Sequence, residues 1–205
     1  MSTPTQKLTS PERRAAIIDA ASRMFSERGF RGTTTRELAA AVGVSEPVLY
    51  QHFETKQELY SAIIDSKSRI GMENVADSLE PYLDGDDDRG FFAKVAEMIL
   101  DWYAKDPACI RLLLFSALEG HELADLFFER YSVAFFATIH GYVERRIRQD
   151  AFRRMDPALI IRAFTGMIGN YGMSCVVFHE PPLAGPRGAA IEDMVSIFLK
   201  GLRNE

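Results

Sequence analysis

Polar side chains with the chemistry of nucleic-acid readout concentrate in residues 45–52, where Glu46, Tyr50, Gln51 and His52 stand among the apolar Pro47, Val48 and Leu49. A carboxylate accepts from the cytosine amino group, and a carboxamide pairs with the edge of adenine. A hydroxyl or an imidazole can donate to phosphate, and Pro47 or Val48 can touch a thymine methyl. As the outer face of a purely structural helix these groups would be an uneconomical choice. No catalytic arrangement competes with them. The chain lacks GxSxG, a GxxxxGK[ST] phosphate loop and a GxGxxG fingerprint, and its four histidines, at 52, 121, 140 and 179, share no spacing. The expectation is a binding protein, not an enzyme, with no catalytic residue, metal or cofactor.

Such side chains read a duplex only when a short helix presents them to a groove. Thr34 and Glu37 have the spacing of a capping box, which opens a short helix reaching about Val42. Gly43 then supplies the tight turn, and Ser45 is the N-cap of a second helix of about seven residues, roughly 10 Å long. Leu38, Val44, Leu49 and Phe53 have the spacing of buried anchors, and Ala39, Ala40 and Ala41 allow the backbones to approach. Upstream, Ser10 as N-cap with Pro11 and Glu12 in the first turn predicts a helix that buries Ile17, Ala21 and Phe25 and ends at Gly29. Downstream, Thr55 and Glu58 form a second box, opening a long helix that runs to about residue 80. The bland alternative is an alanine-rich helical hairpin without a partner.

In register with these elements, Phe30, Gly32, Thr33-Thr34-Thr35, Leu38-Ala39, Val42-Gly43-Val44-Ser45, Leu49-Tyr50, His52-Phe53, Lys56 and Leu59 closely resemble the N-terminal signature of TetR-family transcriptional regulators. The resemblance covers about fifty residues, and the remainder matches only in length and helical character. It implies an all-α chain, with a three-helix helix-turn-helix head in residues 1–55 and a ligand-binding, dimerising helical bundle in residues 56–205. The implied function is a DNA-binding regulator, a repressor released from a palindromic operator by a small, partly apolar effector that shifts the helix beginning at Lys56. Alternatives are a helical DNA-binding architectural protein without ligand control and a small helical enzyme.

Carried over residue by residue, the resemblance gives phosphate contacts to Thr34, Arg36, Tyr50, His52 and Lys56. Base contacts fall to Glu46, Pro47, Val48 and Gln51. The Glu46-Pro47 pair departs from the cationic or small residues commoner there, and electrostatics at a helix start explain Glu46 equally well. Charge distribution agrees with a phosphate-facing head. Residues 1–56 carry eight basic and six acidic side chains, or +2, leaving −7 for the rest of a chain whose net charge is −5.

Beyond the head, apolar helical periodicity recurs in residues 92–103, 107–118, 123–148, 157–178 and 190–202, separated by an acidic loop at 81–90 and a Pro-rich stretch at 181–186. Trp102, Phe115, Tyr131, Phe135, Phe164 and Met167 are the candidates for a ligand pocket. Gly166, Gly169 and Gly172 are the candidates for a dimer interface, with an intramolecular contact or room for a ligand as the alternatives. Asp84, Asp86 and Asp88 imitate a calcium loop, but Arg89 and Val95 occupy its glycine and terminal glutamate positions, so a solvated capping loop is expected. The zincin-like run from His121 to Asp125 lacks a third ligand and reads as a helix start. Cys109 and Cys175 have neither disulfide-framework nor zinc spacing, and Arg162, Asn170 and three glycines interrupt the longest apolar stretch. No membrane span and a cytoplasmic location are the expectations.

Overall fold

The computed structural model describes residues 9–72, 75–120, 129, 132–183 and 185–203, with 64, 67–72, 75 and 76 described by backbone alone. Residues 1–8, Tyr131 and the 121–125 pattern lie outside these residues. Regular structure among them is helical, apart from one bridge between Phe152 and Arg203. The helices are α1 (Ser10–Arg28), α2 (Thr35–Ala41), α3 (Glu46–His52), α4 (Lys56–Met72), α5 (Val75–Leu83), α6 (Asp88–Lys105) and α7 (Pro107–Glu119). After them come α8 (Val133–Arg148), α9 (Pro157–Val176) and α10 (Arg187–Leu202). The all-α expectation holds.

Local chemistry explains the helix ends. The α1 cap is Thr9 rather than Ser10, because Glu12 reaches back to accept from both the Thr9 amide and hydroxyl, each at 2.8 Å. The Thr34 box forms as expected: Thr34 Oγ1 accepts from the Glu37 amide at 3.2 Å, and Glu37 accepts from the Thr34 amide at 2.9 Å. Ser45 occupies the α3 cap position without a side-chain capping bond. The Thr55 box forms by half, since Thr55 accepts from the Glu58 amide while the Glu58 carboxylate turns to the Glu54 amide. The helix expected to run from there to about 80 is described as two, α4 and α5, with Pro81 inside α5 rather than in the loop.

The chain divides into two compact units, one holding the described residues up to Arg69 together with 108–120, the other the remainder. The first unit buries Ile17, Phe25, Leu38, Leu49, Phe53, Tyr60 and Leu112. Of the three alanines expected to mediate close packing only Ala39 is buried, and Val44 is partly exposed. In the second unit α6 packs against α5, α9 and α10. Phe91 stacks on Tyr142 with ring centroids 3.7 Å apart, and Phe92 meets Phe164 at 4.8 Å and Phe198 at 5.1 Å.

Asp88 corrects the expectation of a solvated acidic loop. It is 2% exposed and its carboxylate accepts from Tyr142 Oη at 2.9 Å, Arg146 Nε at 2.8 Å and Arg203 at 3.2 Å. Asp86 joins through Arg145 and Arg146, whereas the cap of α6 is Asp87, which accepts from the Gly90 amide at 2.9 Å. Burial and the bond to Asp88 push the Tyr142 hydroxyl well above its ordinary pKa.

Candidate nucleic-acid interface

The seven residues of α3 have one inward and one outward face. Leu49 and Phe53, four apart, are fully buried, while Pro47, Tyr50 and Gln51 are exposed at helical i, i+3 and i+4 spacing. Arg14 of α1 places its guanidinium 4.4 Å from the centre of the Phe53 ring, covering the end of α3. Val42 precedes Gly43, whose φ of +69° makes the turn between α2 and α3. The Val44 amide returns to the Ala39 carbonyl at 3.0 Å, so the turn is closed by backbone bonds.

A side-chain relay then fixes α3 on α2. Tyr50 Oη donates to Thr35 Oγ1 at 3.5 Å, and Thr35 Oγ1 donates to Glu46. Spacing alone assigns Thr35 no such role, although its place between a cap and a helix start is visible. The acid facing outward from α3 thus has a hydroxyl partner within the protein. This accounts for one oxygen of Glu46 without any base.

The phosphate candidates frame the same surface. Thr34 and Arg36 are exposed at the start of α2, and His52 is partly exposed at the end of α3. Thr34 also shapes its own cap, where its hydroxyl and amide hold the Glu37 carboxyl below the usual carboxylate range. Lys56 is half-buried: its ammonium donates to the Phe30 carbonyl and lies 4.1 Å from the centre of the Phe30 ring. Desolvation draws its pKa down, against the opposing pull of Glu119 and Glu37. The residues expected to contact DNA therefore share the head unit, with Lys56 turned inward.

The pocket candidates are not gathered in this way. Phe115 belongs to the head unit, whereas Trp102, Phe135, Phe164 and Met167 belong to the other. Phe164 is fully buried among Phe92 and Phe198, and Trp102 meets Tyr103 edge-on at 5.5 Å. A groove of about 660 Å³ between α8 and α9 is lined by Phe136, His140, Glu144, Ile161, Arg162 and Thr165 among others, and none of the six candidates is among its described lining residues. The glycines diverge too. A Cβ at Gly172 would lie 2.9 Å from the Tyr103 ring and 3.2 Å from Leu100, whereas one at Gly166 would meet nothing within 4 Å. Among the described residues no group of three acid, His or Cys side chains could hold a metal, and no helix is long and apolar enough to cross a membrane.

Residues 17–63 match the family model described as "Bacterial regulatory proteins, tetR family". The transcriptional activator FasR of Mycolicibacterium smegmatis is 47% identical over 58 residues, 28% of this chain and 26% of that protein. The nucleoid occlusion factor SlmA is similar over more of the chain, 30% over 117 residues in Pasteurella multocida, or 57% of either protein. In Haemophilus influenzae the figure is 29% over 169 residues, 76% of this chain and 71% of that one. The chain thus spans about a quarter of FasR and just over half of the first of these SlmA proteins. Among solved structures, AibR in complex with isovaleryl coenzyme A and operator DNA aligns with a TM-score of 0.68 at 21% identity, covering 91% of this chain and 97% of that one. At that identity the likeness is one of fold.

Proposed function

The chain belongs to the TetR family of regulators, and on that premise we propose that it is a homodimeric repressor that binds a palindromic operator through α3 and releases it on binding a small, partly apolar effector. The observation that carries the DNA-binding part is the outward face of α3. Pro47, Tyr50 and Gln51 are solvent-exposed on a helix anchored by the fully buried Leu49 and by Phe53 just after it. Residues 1–55 serve as the DNA-binding domain and residues 56–205 as the domain for effector and dimerisation. AibR, caught with both an acyl coenzyme A and operator DNA, supports the pairing of the two activities by likeness of fold.

Within the head, Thr34, Arg36, Tyr50, His52 and Lys56 contact phosphates and set register, while Pro47, Val48 and Gln51 read base edges. Glu46 reads a base through the oxygen that Thr35 does not occupy, or serves only to hold α3 on α2. Lys56 has three donors, of which one goes to Phe30, leaving two for a phosphate. Two phosphate contacts removed from each head should weaken binding to every duplex alike. Replacing Tyr50 by Phe and Lys56 by Met together is expected to reduce affinity and to flatten its dependence on salt by about one phosphate contact per head, since of the two only Lys56 carries a charge. Fluorescence anisotropy across a salt series checks this, and an unchanged slope overturns the phosphate assignments.

One observation favours a second reading. The similarity to FasR is confined to 58 residues, whereas that to SlmA of Haemophilus influenzae extends over 169. On this reading the protein is a helical DNA-binding architectural protein without effector control. Mapping its chromosomal sites separates the two, since a repressor occupies a few promoters and such a factor many dispersed positions.

A further inference from the structure

The corner between α1 and α2, residues 29–33, is shaped by a carboxylate from far along the chain. Gly29 ends α1 at φ +72° and ψ 177°, a conformation essentially restricted to glycine. The amides of Phe30 and Arg31 follow directly after this turn. Glu119, at the C-terminal end of α7, meets both: it accepts from the Phe30 amide at 3.1 Å and from the Arg31 amide at 3.3 Å. Arg31 closes the contact by donating from its guanidinium to the Glu119 carbonyl at 3.3 Å. On the opposite side of the same peptide, the Phe30 carbonyl accepts from Lys56. The corner is therefore gripped by an acid through its N–H groups and by a base through its C=O.

A Cβ on Gly29 would lie 2.5 Å from a Glu119 carboxylate oxygen and 3.0 Å from Phe115, so a larger residue displaces the Glu119 carboxylate, while φ itself favours glycine. Thr33, fully buried, donates to the Gly29 carbonyl at 3.0 Å and carries the corner into the Thr34 cap of α2. Through that cap and the Thr35 relay, the corner sets where α2 and α3 stand on α1. Glu119 itself has no place on the outward face of α3.

From this geometry we infer that Glu119 is a positioning residue for DNA recognition, holding the α1–α2 corner in the conformation that presents α3 to a specific site. The inference rests on the DNA-binding reading above and adds a residue to it that no resemblance in the head supplies. A positioning role separates from a stabilising one by what it moves. Loss of stability lowers specific and non-specific affinity together, whereas a misplaced α3 loses base contacts and retains diffuse phosphate attraction.

The test compares the wild-type chain with Glu119→Gln and Glu119→Asp, using a duplex selected by the wild type and an unrelated duplex. The ratio of specific to non-specific affinity should fall about tenfold in Glu119→Gln, the effect of losing one charge-assisted hydrogen bond, and recover in part in Glu119→Asp. Thermal midpoints should stay within a few degrees of the wild type. Gly29→Ala should lower the ratio similarly, and combining it with Glu119→Gln should add little, because both break the same contact. Amide hydrogen exchange without DNA gives an independent reading, with faster exchange at Phe30 and Arg31 in Glu119→Gln. An unchanged ratio or unchanged exchange overturns the inference while leaving the DNA-binding reading intact. A wild type that prefers no duplex overturns both.

Discussion

Thr35 and Thr34 are adjacent and have different tasks. Thr34 turns its hydroxyl to the Glu37 amide and caps α2, while Thr35 donates to Glu46 and accepts from Tyr50, tying α2 to α3. The first role was legible from the Thr-x-x-Glu spacing, because a capping box is a contact within four residues. The second was not, because it joins residues 11 and 15 apart across a turn whose angle no spacing rule supplies. The Glu37 carboxyl is held below the ordinary value of 4.5, so the folded head binds that proton less readily than the unfolded chain does. Its stabilisation is accordingly present above about pH 4.5 and is lost as pH falls through the lowered value. Glu37→Gln should lower the thermal midpoint at neutral pH, and the two proteins' midpoints should converge as pH falls below the ordinary value of 4.5. A gap that persists at the acid end would show that the side chain's shape, and not its charge, matters.

At the scale of elements, helix identity followed from apolar period and punctuation, and ends followed to within a residue or so where a local cap decided them. Ser10 and Thr9 are rival N-caps one residue apart, and Thr9 prevails because Glu12 lies three residues on, in reach of both its donors. What stayed illegible was long-range pairing. Asp88 reads in sequence as one acid of a polar loop, yet it is buried under Arg146, 58 residues away, and Arg203, 115 away. Three cationic or hydroxyl donors converge on that carboxylate, joining the start of α6, the end of α8 and the chain after α10. Breaking such a buried pair strands the remaining charge. Asp88→Asn should therefore cost about 3 kcal/mol, measured as a lowered urea midpoint at unchanged slope. A loss below about 0.5 kcal/mol would place the network among exposed ion pairs of little consequence.

At the scale of the whole molecule, a helix of seven residues would read few bases, which is the physical reason for the proposed regulator to act as two copies. The three glycines of α9 were visible as a pattern, but a repeat of small residues does not say whether the neighbour is the same chain or another. Gly172 answers for itself, since Tyr103 and Leu100 of the same chain fill the space beside it. Gly172→Ala should therefore destabilise the monomer fold by about 1–3 kcal/mol. Gly166 faces open space within its own chain. If α9 forms the seam of the proposed dimer there, Gly166→Leu should weaken self-association in light scattering while leaving the unfolding midpoint of dilute protein nearly unchanged. Unaltered association would move the seam elsewhere.

On the proposed function the outward face of α3 reads a duplex, and selection from randomised double-stranded DNA tests that most directly. The wild-type chain is expected to enrich an inverted repeat whose half-sites are centred about 34–36 Å apart or a multiple of it. Gln51→Ala should relax the preference at one position in each half-site. Enrichment of no sequence by the wild type, or an identical preference in a variant with Pro47, Tyr50 and Gln51 all replaced by alanine, would contradict it.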